Sequence, residues 1–202
     1  GQTIVRGCYP QPYDQWTVFN QVLKAPGWAE DSRIPTPGST NSGADLTYDG
    51  SQILIQVGNY GYAYKRGATG WVIEGYLTDF GGDDDGATRR HVAISRDGKI
   101  AAIGNWSDTA AGLGPIFPPY QTADHASGGV VIHQRKADGT WSVRRAIKPG
   151  NTNPQNFGNV LALGDNGRVL VVGAPFDASK ASGIDGVRDD ASAGGRGAVW
   201  VY

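Results

Sequence analysis

Three turn pairs constrain this chain more than any other feature. Asp49-Gly50, Asp97-Gly98 and Asn166-Gly167 each sit between two apolar runs. Such pairs tolerate the positive φ angles of a two-residue hairpin turn. The flanks read alike: ADLTYDGSQILIQVGN (44–59), HVAISRDGKIAAIGN (91–105) and NVLALGDNGRVLVVGAP (159–175). Each is a strand, a turn and a second strand running to a glycine: Gly58, Gly104 or Gly173. A third β-prone run follows each: GYAYKR (61–66), GVVIHQ (129–134) and GAVWVY (197–202). Two copies continue into a Trp-headed strand, WVIEGYL (71–77) and WSVRRAI (141–147). In both, even spacing is expected to put Leu77 and Ile147 on the strand face of the Trp. The unit is therefore four strands, and successive turns are about 50 to 70 residues apart, the scale of a propeller blade.

The third copy reaches Tyr202 after its third strand, while a Trp-headed run, WTVFNQVLKAP (16–26), stands near the N-terminus. Its Leu23-Lys24-Ala25-Pro26 parallels Ile147-Lys148-Pro149. The pattern predicts an all-β fold of three four-stranded antiparallel propeller-type blades, about 40–80, 88–150 and 157–202 plus 14–26, forming a repeat domain over 14–202. The N-terminal strand is expected to complete the C-terminal blade, in cis or between chains. Trp16, Val18, Val22 and Leu23 on one side, and Val199, Val201 and Tyr202 on the other, are the expected assembly residues. Residues 1–13 read as an extended arm: Thr3-Ile4-Val5 is β-prone, and Pro10 and Pro12 favour an extended backbone. The Pro-, Ser-, Thr- and Gly-rich stretch 26–43 reads as a linker or loop.

The third copy resembles the FG-GAP (integrin-α-like) repeat family, in its bacterial form. Phe157-Gly158 opens it and Gly173-Ala174-Pro175 closes its second strand. The second copy departs, with Arg90-His91 and Gly104-Asn105-Trp106 at the matching places, and the first departs further. The resemblance implies β-propeller blades and an extracellular or cell-surface protein acting in adhesion or ligand binding. Integrin-type blades often hold calcium in an Asp-rich loop between their first two strands. Here those loops are the tight turns 96–99 and 165–168, which offer too few oxygens for calcium's six to eight ligands.

Three blades are too few to close a ring, which usually takes at least about four. An unpaired terminal strand is a template for another chain. Two chains could exchange strands into one ring, many could pair head to tail as a filament, or the chain could be a fragment of a longer propeller. A three-bladed closure in cis is a further option. Association between chains is the leading expectation: a secreted structural or adhesive protein, a homo-oligomer or polymer. The sequence contains no Met, so Gly1 is expected to follow a removed secretory signal. Cys8 is the one cysteine, which excludes an internal disulfide. A net charge of −1 gives no electrostatic pointer to nucleic acid, and no apolar run is long enough to span a bilayer.

A lectin-like module is the alternative function, with a glycan or cell-surface partner. Its candidate ligand residues are Trp106, Phe117 and Tyr120, aromatics in a Pro-stiffened loop able to stack on a sugar. Calcium could be wrapped by Asp177, Asp185, Asp189 and Asp190 in a Gly-permissive loop. Asp83-Asp84-Asp85 reads as a solvated turn. His91, His125 and His133 have no metal-ligand spacing, and no nucleophile elbow or phosphate loop is present in the sequence. The reading is non-enzymatic.

Overall fold

The computed structural model describes residues 3–8, 17–24, 27–35, 43–58, 60–78, 91–108, 114–116, 127–149, 156–180, 183 and 192–202. These form four antiparallel sheets. Sheet I holds β1 (Thr3–Cys8), β2 (Thr17–Lys24) and β3 (Gly27–Pro35) in that order. Sheet II holds β4 (Ala44–Leu46), β5 (Gln52–Val57), β6 (Tyr60–Arg66) and β7 (Trp71–Thr78), also in order. Sheet III comprises β8 (His91–Ile94), β9 (Ile100–Asn105), β10 (Gly114–Ile116), β11 (Gly129–Arg135) and β12 (Trp141–Lys148), arranged β10-β12-β11-β9-β8. Sheet IV has β13 (Val160–Leu163), β14 (Leu170–Ala174) and β15 (Ala198–Val201).

The four-strand units of sheets II and III match the repeat. The N-terminal expectation fails within one chain. β2 lies between β1 and β3, with Val18 opposite both Gly7 and Ile34, and Leu23 opposite Trp28. It therefore does not complete sheet IV, where β15 pairs with β14 alone among the described residues. The physical reason is proximity: β1 and β3 reach β2 through short connections, so both its edges are satisfied locally at small loop-closure cost. The arm and the linker are correspondingly replaced in part by strands, β1 and β3. A short strand, β10, also lies within the segment read as a loop. Pro115 is tolerated there because β10 is an edge strand.

The turns are longer than two residues. Thr47 N–H bonds to the Gln52 carbonyl at 3.1 Å, and Ser95 N–H to the Ile100 carbonyl at 2.8 Å, closing four-residue loops. Asp49 Oδ1 accepts from the Ser51 N–H at 3.0 Å and from the Thr47 and Ser51 hydroxyls. The Asp thus caps the turn from inside, and the glycine after it takes the left-handed conformation, φ 68° at both Gly50 and Gly98. Adjacent turns are also tied together. Tyr48 N–H bonds to the Arg96 carbonyl, and Asp97 N–H to the Asp165 carbonyl, both at 3.2 Å.

The sheets stack face to face in chain order. Ile34 of β3 meets Ile53, Ile55, Val57 and Tyr64 between sheets I and II. Leu54, Ala63 and Leu77 meet Val92, Ile94, Ala101 and Ile103 between II and III. Ala93, Ala102, Val130 and Ile147 meet Leu161, Leu170, Val172 and Trp200 between III and IV. Neighbours along β5, β8 and β9 serve opposite interfaces, which is why these strands read as unbroken apolar runs. The Phe157-Gly158 step wedges between III and IV. A Cβ on Gly104 would lie 2.1 Å from the Gly158 carbonyl oxygen, and one on Gly128 2.1 Å from that of Phe157. Only glycine admits that approach. Phe157 itself is fully buried, edge-on to Trp200 with ring centroids 5.8 Å apart.

Candidate functional site

Sheet IV is built like sheet III up to its third strand. Asn105 pairs with Gly129 and Gly104 with Val130; in sheet IV, Ala174 pairs with Ala198 and Gly173 with Val199. The loops leaving the second strands are equivalent too. Asp108 N–H bonds to the Asn105 carbonyl at 3.2 Å, and Asp177 N–H to the Ala174 carbonyl at 3.1 Å. Each then receives a glycine at positive φ: Gly128 N–H on the Asp108 carbonyl at 3.2 Å, and Gly197 N–H on the Asp177 carbonyl at 3.0 Å. Asp108 and Asp177 are the same position in two copies.

Their side chains differ in what they meet. Lys148, the last residue of β12, points its ammonium onto Asp108, with Nζ 2.5 Å from Oδ2 and 3.3 Å from the main-chain oxygen. Both side chains are withdrawn from solvent, at 0% and 1% exposure. Burial pushes the Lys148 ammonium below its ordinary pKa, and the Asp108 carboxylate offsets part of that shift. Asp177 is equally buried, at 1%. Its Oδ1 accepts from the Ser179 N–H at 2.8 Å, and its Oδ2 has no hydrogen-bond partner. Sheet II has neither half of the pair: Thr78 stands where Lys148 does, and the tight turn at Gly58 replaces the Asp-bearing loop.

The outward face of sheet IV is the second unmatched feature. Leu161, Leu170, Val172 and Trp200 face sheet III, so strand alternation turns Val160, Ala162, Val171, Gly173, Val199 and Val201 the other way. Val160, Ala162, Val171, Gly173 and Val199 line an open trough of about 630 Å³. Val130 of sheet III is 0% exposed against sheet IV, whereas Val199 at the same register is 71% exposed and Val201 69%. A sheet meant to end in water carries polar residues on that face. This one is apolar on both sides.

Of the residues singled out by sequence, Val199, Val201 and Tyr202 lie in or just after the open-edged strand β15, and Asp177 lies beside its start. Val18, Val22 and Leu23 lie in β2, in another sheet, and Trp16 is outside the described residues. Trp106 sits in the turn before Asp108, with its Nε1 buried and unbonded. Phe117, Tyr120, Asp185, Asp189 and Asp190 lie outside the described residues, as do Asp83, Asp84 and Asp85. Among the described residues, no group of three or more His, Cys, Asp or Glu side chains could hold a metal ion, and no helix is long and apolar enough to cross a membrane. The Asp108–Lys148 pair escaped the sequence reading. Its signal was the lysine that follows the aliphatic residue at the end of a Trp-headed strand.

No protein-family model matches the chain. The D-inositol 3-phosphate glycosyltransferase of Rhodococcus jostii (strain RHA1) is 30% identical over 108 residues, 46% of this chain and 22% of that enzyme. Among solved structures, Sqt1 of Chaetomium thermophilum superposes with a TM-score of 0.54 at 14% identity, over 87% of this chain and 39% of that one. The β-propeller domain of Cps50 (Swd1) from Myceliophteria thermophila gives 0.50 at 12% identity, over 84% of this chain and 47% of that one. These likenesses concern fold alone: the chain is an all-β, β-propeller-like protein, and it spans less than half of either structure.

Proposed function

We propose that this chain is a non-enzymatic, self-associating β-propeller segment of structural or adhesive role, whose four sheets act as blades of an incomplete ring that a second copy completes. The observation that carries this reading is the apolar outward face of sheet IV. It continues the sheet-on-sheet stacking that already joins I to II, II to III and III to IV. A chain that covers 47% of a propeller domain has room for a second copy in the same ring. The contact is head to tail, the last sheet of one copy against the first of the next, so it closes as a ring when the accumulated rotation matches and grows as a filament when it does not. The Phe157-Gly158 and Gly173-Ala174-Pro175 pattern supports an extracellular setting.

Burying Val160, Val199 and Val201 from their present exposure is worth roughly 3–6 kcal/mol in gross terms, against about 4–15 kcal/mol for lost translation and rotation. The face alone therefore gives weak association, and the open edge of β15 must add to it. Analytical ultracentrifugation of the full chain tests the reading. The wild type is expected to show a concentration-dependent dimer or larger species, and Val199→Lys with Val201→Lys to sediment as a folded monomer. A wild type monomeric at all concentrations, or a double variant that associates equally, overturns it.

A further inference from the structure

We infer that Asp177 is a socket for a lysine ammonium carried by an incoming fourth strand, which seats along the free edge of β15 and ends in an aliphatic–lysine pair. This deepens the assembly reading and rests on it for the source of the strand. The socket is defined by its completed twin. In sheet III the fourth strand places Ile147 opposite Val130, and the next residue, Lys148, reaches Asp108. The equivalent positions in sheet IV are Val199 and Asp177. An aliphatic residue opposite Val199 therefore puts the residue after it beside Asp177, whose Oδ2 is buried and unpartnered. Sheet II supplies the control, since its fourth strand ends in Leu77-Thr78 and, among the described residues, the turn at Gly58 stands in place of the Asp-bearing loop. The lysine and the aspartate occur together or not at all in the two completed sheets. A buried carboxylate oxygen with no partner is costly. A lysine whose stem lies along the sheet relieves that cost with a charge-assisted bond.

Leu23-Lys24-Ala25-Pro26 has the required pattern, so a synthetic peptide of sequence 16–26 is the probe, labelled for fluorescence anisotropy with the full chain as receptor. The wild-type peptide is expected to bind. Its Lys24→Gln version, and separately an Asp177→Asn receptor, are expected to weaken binding at least about 30-fold. Combining the two changes should cost far less than the product of the single losses. Equal affinity of the Lys and Gln peptides, an unaffected Asp177→Asn receptor, or no binding at all overturns the inference. So does calcium chloride that displaces the peptide from wild type but raises the Tm of wild type only. Peptide binding without self-association in the ultracentrifuge would refute the assembly reading and leave the socket standing. Self-association unchanged in a peptide-blind Asp177→Asn chain would leave the assembly reading standing and refute a second copy as the source of the strand.

Discussion

His133 is buried on β11, with no hydrogen-bond partner for either ring nitrogen. Burial holds its pKa down to about 4; the Val131 and Thr78 main chain beside the ring, short of bonding geometry, offsets only part of this. The unfolded chain takes up its proton near pH 6.5, so this site's stability is intact above that pH and lost as pH falls towards 4. The loss amounts to about 3 kcal/mol. Urea denaturation at pH 7 and pH 4.5 should show it, and His133→Leu should remove most of the difference. Lys148 and Asp108 show the opposite economy, two charges buried at each other's side. Lys148→Met removes the ammonium from the buried Asp108 carboxylate and is expected to cost about 3–5 kcal/mol, most of it recovered when Asp108→Leu is added. Chemical denaturation of the single and double variants checks this. If the double variant is as unstable as the single one, the ammonium does more than neutralise the carboxylate.

At the scale of elements, the turns were legible because their information is local. An Asp or Ser that caps its own turn, followed by a glycine at positive φ, needs no distant partner. The strands flanking those turns were legible for a related reason, being apolar on both faces. β3 was not legible, because GWAEDSRIP carries charge and a Pro and only its pairing with β2 makes it a strand. The same pairing removed β2 from the role its Trp-headed pattern suggested. The Asp108–Lys148 contact was not legible as a pair: its members are 40 residues apart, and only the lysine end carried a signal in the sequence. The Phe157-Gly158 step was recognised as a pattern, but its cause, a main-chain approach to Gly104 and Gly128, needs three segments at once. Gly104→Ala is expected to destabilise the fold by at least about 3 kcal/mol. The loss should appear as a lowered denaturation midpoint in urea, with sheets III and IV released together.

The whole molecule is a stack in which each sheet is held chiefly by its neighbours. The turn bonds run from Tyr48 to Arg96 and from Asp97 to Asp165, and the outer rim is braced by Arg135, whose Nε lies 2.8 Å from the Glu74 carboxylate. Sheets II and III are flanked on both sides, whereas sheet IV, among the described residues, is flanked on one. Protection therefore falls off from sheet III to sheet IV, as towards the ends of other one-dimensional arrays. Amide exchange should be faster there than in sheets II and III in the isolated chain, with Val160, Val171 and Val199 ahead of Ile55, Ala102 and Val131. Under the proposed assembly, the one-sided cover of sheet IV would make this end both the receptor and the weak point. A solitary copy would fray first where it has to be whole to be recognised, so each docking event would also anneal the surface that received it.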